Sequence, residues 1–371
     1  MKIPPFLIER FFARYEFSAP FLLCASDIEG LKQRELLAWA DAETRALWED
    51  LKLGYTETLG HPLLRAEIAS LYQGVRLEEV VVANPEELIF LFANAVLGPG
   101  DHAVAVWPAY QSLYEVARST GAEVSLLRLS HDTGWRLDLD ALRQAVRPNT
   151  RAIIINFPHN PTGALITRAE QDELIRIARA RGAYLFSDEV YRLLEHDPAD
   201  RLPPAVERYE KAVSLGAMSK AFAMGGLRIG WVATRDAAVF DRMVELKDYT
   251  SICAPAPSEL LALMALRAKD RVLERNGAIV RANLARVDRF FADFTDRFEW
   301  VRPKAGSTGF PRLRSGQAIE DFAKELVDRE GVMLLPGSVY EYPGNHFRLG
   351  LGRLNLPEAV DRLERFVRAK G

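Results

Sequence analysis

The chain has 371 residues, 49% of them hydrophobic and 27% charged, with 48 Lys and Arg against 51 Asp and Glu and a net charge of −3. This composition excludes disordered, collagen-like and mucin-like chains, and without a basic surplus nucleic acid is not an expected partner. The two cysteines, Cys24 and Cys253, are too few and too far apart for a disulfide framework or a cysteine-based zinc site, and they suit a reducing cytoplasm.

In chain order, the opening run MKIPPFLIERFFARYEF carries Pro4, Pro5, Glu9, Arg10 and Arg14 where a secretory signal needs an unbroken apolar core. No later stretch approaches the roughly 18 apolar residues of a membrane span, so a soluble, cytoplasmic protein is expected. Residues 1 to about 45 show no strand pattern and are expected to pack against the rest. Six short apolar runs then read as buried strands: HAVAVW from His102, AEVSLLRL from Ala122, RAIIINF from Arg151, AYLFS from Ala183, KAVSLGA from Lys211 and RIGWVAT from Arg228. Helical patterns lie between most of them, at Gln111–Thr120, Leu139–Val146 and Arg168–Arg181. The alternation predicts an open α/β sheet with helices packed on it. Long helices follow at Ser258–Asp270 and Asp270–Phe294. Strands are expected near Phe298–Val301, Gly309–Leu313, Val332–Leu335 and His346–Leu351, with a closing helix from Pro357. A chain of this length outgrows one core, so two domains are expected: a large one over 46–256, and a small α+β one from 1–45 and 257–371.

The six histidines show no metal-ligand spacing, and no GxSxG elbow, Walker loop or complete GxGxxG is present; Gly350-Leu-Gly352 lacks the third glycine. What stands out is polar residues at the ends of apolar runs. FPHNPTG (Phe157–Gly163) follows one, with Asn160-Pro-Thr-Gly as a turn. In FSDEVY, Asp188 sits at a strand end, where a carboxylate is costly unless a cation faces it, and Tyr191 lies three residues on. SLGAMSKAFAMGGLRIGW places Lys220 just past another run and Arg228 eight residues later. A lysine in a dry cleft loses proton affinity and becomes an amine nucleophile. In NHFRLGLG, Arg348 within an apolar strand reads as a bidentate carboxylate clamp. Each motif taken singly is more often structural; Asp188 alone is a helix cap, and Tyr110 and Tyr191 alone are core aromatics.

The ordered set NPTG, SDEVY, SKAFxxxGLRIGW and FRLGLG resembles the class I/II aminotransferases of fold type I, which use pyridoxal 5′-phosphate. The likeness runs from Tyr55 in GYTETLG through PAYQSLY to the C-terminal arginine. It implies a mainly parallel seven-stranded sheet with helices on both faces plus a smaller α+β domain. It also implies a homodimer with shared active sites, acting on a small amino acid and a 2-oxo acid through a pyridoxamine form. By the same resemblance Lys220 is the Schiff-base lysine and Asp188 the partner of the ring nitrogen. Asn160 and Tyr191 hydrogen-bond the ring oxygen, and Tyr110 stacks on the ring. Arg228 clamps the phosphate, Tyr55 reaches the phosphate in the neighbouring subunit, and Arg348 binds the substrate α-carboxylate, beside Asn160. The Asn160–Pro161 bond is a candidate for cis. The same residues also serve β-lyases, cyclases and oxidases, and a non-catalytic protein on this fold is a further alternative.

The chain departs from the family at the phosphate turn. Where a small Gly/Ser/Thr-rich turn is usual, it has Asn84-Pro85-Glu86. Read alone, this is a helix start: a cap, then proline at the first position. Pro85 removes an N–H donor and Glu86 adds a carboxylate, which predicts a weaker hold on the cofactor. Ala217 replaces a frequent serine, with Ser219 placed to compensate. Near the N-terminus, Asp27 and Glu29 suit a cationic substrate side chain or are solvated loop charges. Lys247, Asp248 and Tyr249 fall where a partner subunit often contributes.

Overall fold

Seven strands form the central sheet of the computed structural model, which describes residues 2–314 and 316–370. They are β1 Val80–Ala83, β2 His102–Trp107, β3 Glu123–Arg128, β4 Thr150–Asn156, β5 Tyr184–Asp188, β6 Ala212–Ala217 and β7 Gly230–Thr234, in the spatial order β1-β7-β6-β5-β4-β2-β3. All are parallel except β7, which runs antiparallel to both β1 and β6. Six are the expected apolar runs. The seventh, β1, is only four residues long and is too short to show a period of its own.

Alternation along the buried strands feeds two separate cores. Ile154, Val213 and Val232 pack with Leu88, Leu91 and Phe92 of the helix Pro85–Val96 on one face. Ile153, Ile155 and Leu185 pack with Leu174, Ile177 and Ala178 of the helix Arg168–Arg181 on the other. That second helix starts in a capping box of Thr167 and Glu170 and stops at Gly182, whose φ of 71° is the left-handed cap glycine adopts freely.

Beyond the sheet, the helices Ala256–Arg267 and Lys269–Asp293 lead into two small sheets and the closing helix Leu356–Ala369. The strand expected at Gly309–Leu313 is split into Thr308–Gly309 and Arg312–Leu313, which belong to different sheets. Pro311 between them has no N–H for a ladder. The strand expected over Val332–Leu335 is Leu335–Pro336, and Val332 instead makes a single parallel bridge to Phe21. That bridge is one of the contacts that hold the N-terminal region.

The strand Phe347–Gly350 is the floor for the N-terminal segment. Gly350 N–H donates to Leu23 O at 2.8 Å, and a Cβ on Gly350 would lie 1.9 Å from Ala25 O. At Gly352 it would lie 2.2 Å from Asp27 O. The paired glycines that fail as a nucleotide motif are therefore close-approach positions that let residues 23–28 lie flat on this strand. Ahead of that segment, the helix Leu7–Tyr15 is strapped to the sheet by Gln111, whose Oε1 accepts from Leu7 N–H at 2.8 Å and whose Nε2 donates to Pro5 O at 3.0 Å.

Candidate active site

The C-terminal ends of β4, β5 and β6 open into a cavity of about 560 Å³, the usual place for a site in an open α/β sheet. Register brings Asn156, the last residue of β4, beside Asp188, the last of β5. Lys220 stands in the turn after β6, on the cavity wall, and its Nζ donates to Ser26 Oγ at 2.8 Å and lies 5.7 Å from the Tyr191 ring centre. Burial pulls its pKa down to about 8, with nearby Asp27 opposing the shift.

Asp188 is 5% exposed, and its carboxylate accepts from Val190 N–H at 3.2 Å while joining no ion pair among the described residues. Burial raises its pKa to about 7, and neighbouring Glu86 adds to the rise. The segment after it is a turn, so the helix-cap alternative for Asp188 does not apply.

Arg348 is 2% exposed on the opposite wall. It donates from Nε to Cys24 O at 2.9 Å and from Nη1 to Tyr340 Oη at 2.7 Å, and no carboxylate pairs with it among the described residues. Tyr340 Oη donates in turn to Asn160 Oδ1 at 3.4 Å, Asn160 N–H donates to Asn156 Oδ1 at 2.9 Å, and Asn156 Nδ2 donates to Asp188 O at 3.0 Å. A buried polar chain thus ties the guanidinium to the strand end that carries Asp188. The Asn160–Pro161 bond is cis, as are Trp107–Pro108 and Phe157–Pro158.

Tyr191 is buried and donates to Ser26 O at 3.3 Å. Tyr110 lines the cavity, with Phe6 at 4.9 Å between ring centres, and its hydroxyl donates to Glu9 Oε1 at 3.2 Å. At the far end lie Pro85, Glu86, Ser219, Gly225 and Arg228. Asn84 stands behind them as the helix cap; its Oδ1 accepts from Glu86 N–H and from Arg228 Nη2, both at 3.1 Å. Arg228 has a φ of 55°, a left-handed backbone that non-glycine residues seldom adopt and that turns its side chain to this end. Glu86 faces the cavity, and burial keeps its carboxyl above the ordinary range.

Two expected residues, Asp27 and Glu29, stand differently. Asp27 lines the cavity, but its carboxylate takes Arg353 Nη2 at 3.0 Å, so it meets the cavity as one half of an ion pair. Glu29 accepts from Leu354 N–H on the outside. Tyr55 is 91% exposed and away from the cavity of its own chain. Sequence reasoning missed Ser26, Tyr340 and Asn156, and also Glu9, Phe12 and Glu16 of the N-terminal helix, all on or beside this cavity. Asn156 carried a signal, since it ends a buried run as Asp188 does. Ser26 carried none, being 194 positions from its partner.

These residues fit pyridoxal 5′-phosphate. A buried carboxylate without a cation is costly, and a protonated ring nitrogen would supply the cation Asp188 lacks among the described residues. The amine of Lys220 faces the same space, and Arg228 stands where a phosphate needs a cation.

Comparisons with known proteins give the family. The family model for aminotransferase class I and II matches residues 19–363. A PLP-dependent aminotransferase structure from Streptococcus suis 89-1591 superimposes with a TM-score of 0.94 at 34% identity, covering 100% of this chain and 99% of that one. The structure of a PLP-dependent cyclase, OrfR, superimposes with a TM-score of 0.90 at 27% identity, covering 100% and 99%. Arginine–pyruvate transaminase AruH of Pseudomonas aeruginosa is 31% identical over 83% of this chain and 81% of its own length. With the sheet order, the lysine and the unpaired aspartate already in place, the match over nearly the whole length makes this chain a member of the class I and II aminotransferases, a fold type I enzyme family that works with pyridoxal 5′-phosphate.

Proposed function

We propose that the protein moves an amino group between an L-amino acid and a 2-oxo acid. The observation that carries this reading is the convergence of Lys220, Asp188 and Arg348 on one cavity, each without the counter-charge it would need if it were only structural. The cofactor, when bound, supplies an electron sink that makes the substrate Cα–H acidic.

The chain supplies positioning and proton transfer. Arg348 holds the substrate carboxylate with the guanidinium N–H groups that Tyr340 and Cys24 leave free. With a pKa near 8, Lys220 has roughly a tenth of its amine unprotonated at pH 7, enough to attack a carbonyl and later to take and return a proton at Cα. Asp188 would hold the ring nitrogen, Asn160 and Tyr191 would hydrogen-bond the ring oxygen, and Tyr110 would stack on the ring. Arg228, Ser219 and the Asn84-Pro85-Glu86 turn would hold the phosphate end. Tyr55 reaches the partner's site in a homodimer, and exposed Leu53, Tyr249 and Ile252 form an apolar surface suited to that contact. No helix among the described residues is long and apolar enough to cross a membrane, and the free cysteines suit a cytoplasmic setting.

The test is an absorption titration of dialysed protein with pyridoxal 5′-phosphate beside Lys220→Ala. A lysine-dependent band that disappears on adding amino acids, with a 2-oxo acid released, supports transamination. Loss of the band with a ring-closed or ammonia-releasing product would assign the cyclase or lyase reading, which the likeness to OrfR favours as the second choice. No lysine-dependent band would overturn both.

A further inference from the structure

The cavity wall opposite the sheet is one face of the helix Leu7–Tyr15, continued into its cap residue Glu16. Glu9, Phe12 and Glu16 stand at positions i, i+3 and i+7, so they share that face. Phe12 lies over the Arg348 guanidinium, 5.6 Å from its ring centre, with one carboxylate a turn before it and one a turn after it. We propose that the amino donor is an L-amino acid with a cationic side chain, held at its carboxylate by Arg348 and at its far end by Glu9 and Glu16.

Three observations carry this. First, the basic groups that this chain places on the cavity, Lys220, Arg228 and Arg348, all have tasks at the cofactor or the α-carboxylate, so none of them is left for a second substrate carboxylate. Second, Glu9 and Glu16 join no ion pair among the described residues; Glu9 takes only the Tyr110 hydroxyl, whereas Asp27 is already matched by Arg353. Glu16 is held above the ordinary carboxylate range first by burial, then by Glu9 and Asp27, with Arg353 opposing the rise. Third, Arg348 is buried, lacks a carboxylate partner among the described residues and faces the same space, so the cavity asks for an anion at Arg348 and a cation at the carboxylates that flank Phe12. An acidic donor would place its side chain against like charge. A guanidinium or ammonium on a flexible methylene stem can lie along Phe12 and reach either carboxylate.

The inference rests on the amino-transfer reading, and the experiment separates the two. Cofactor-loaded enzyme is mixed with L-arginine, L-lysine, L-norleucine and L-glutamate, and loss of the lysine-bound band is followed. The basic donors are expected to exceed norleucine in kcat/KM by about tenfold or more, with glutamate slowest. In Glu9→Gln and Glu16→Gln the arginine-to-norleucine ratio is expected to fall, most in the double variant. Binding is read separately by calorimetry with unreactive 5-guanidinopentanoate and hexanoate, the first expected to bind more tightly and to lose that advantage in the double variant. If norleucine or glutamate matches the basic donors, or if the two carboxylates leave both ratios unchanged, the side-chain assignment is overturned while amino transfer stands. If no amino acid affects the band, amino transfer falls and the donor assignment falls with it.

Discussion

Ser26 Oγ accepts a 2.8 Å hydrogen bond from Lys220 Nζ across 194 positions of sequence. The bond favours the charged lysine, so it works against the burial that lowers its pKa. In Ser26→Ala the amine loses this acceptor and its pKa moves further down, by about half to one unit. The acidic limb of the rate of cofactor capture by apo-protein is expected to shift to lower pH by that amount. Stopped-flow measurements between pH 6 and 9 would show it, and an unmoved limb would mean that Ser26 is only a neighbour.

Tyr340 aims Arg348. In Tyr340→Phe the guanidinium loses one acceptor at Nη1, and Asn160 loses a donor. The loss is worth about 1 kcal/mol, so KM for the amino donor is expected to rise about fivefold, with a smaller change in kcat. Steady-state kinetics check the split. A fall confined to kcat would show that the hydroxyl acts elsewhere.

Asp188 links apo-protein stability to pH. Its folded pKa, about 7, lies above the unfolded carboxylate value, so the native state holds that proton more tightly. The resulting stabilisation is full below the ordinary carboxylate range and is lost as pH rises through 7. Apo Asp188→Asn, which cannot ionise, is expected to be more stable than apo wild type at pH 8 by on the order of 4 kcal/mol, with the two converging near pH 4. Urea unfolding at both pH values reads this. The same variant is expected to bind the cofactor less tightly, by about tenfold or more, because an amide cannot pair with a protonated nitrogen.

The phosphate end offers a gain. Pro85→Ala restores an N–H at the first position of the helix Pro85–Val96. The dissociation constant for pyridoxal 5′-phosphate is expected to fall about threefold to tenfold, while that for unphosphorylated pyridoxal stays put. An equal change for both ligands would place the effect away from the phosphate.

The sheet was legible because its strands are buried on both faces and read as unbroken Val, Ile, Leu and Ala runs. β1 escaped only by being four residues long. Lys220, Asp188, Asn160 and Arg348 were legible as polar residues breaking apolar runs, and the structure brings them to one cavity. Ser26 and Glu9 were not, because nothing local marks a residue whose partner lies 194 or 101 positions away. The partner of Asp27 was hidden for a similar reason: its carboxylate is matched by Arg353, whose approach depends on the glycines that let the two segments touch.

The contact of Gly350 with Ala25 also sets an order of events. Arg348 bonds to Cys24 O across 324 positions, so the floor, the N-terminal segment and the carboxylate clamp meet only when distant parts of the chain have come together. Long loops of this kind close late in folding, after the local helices have formed. A response to amino acid is therefore a built-in indicator of completed tertiary structure: a chain whose far segments have not met has its helices and its lysine, but no clamp for the substrate carboxylate.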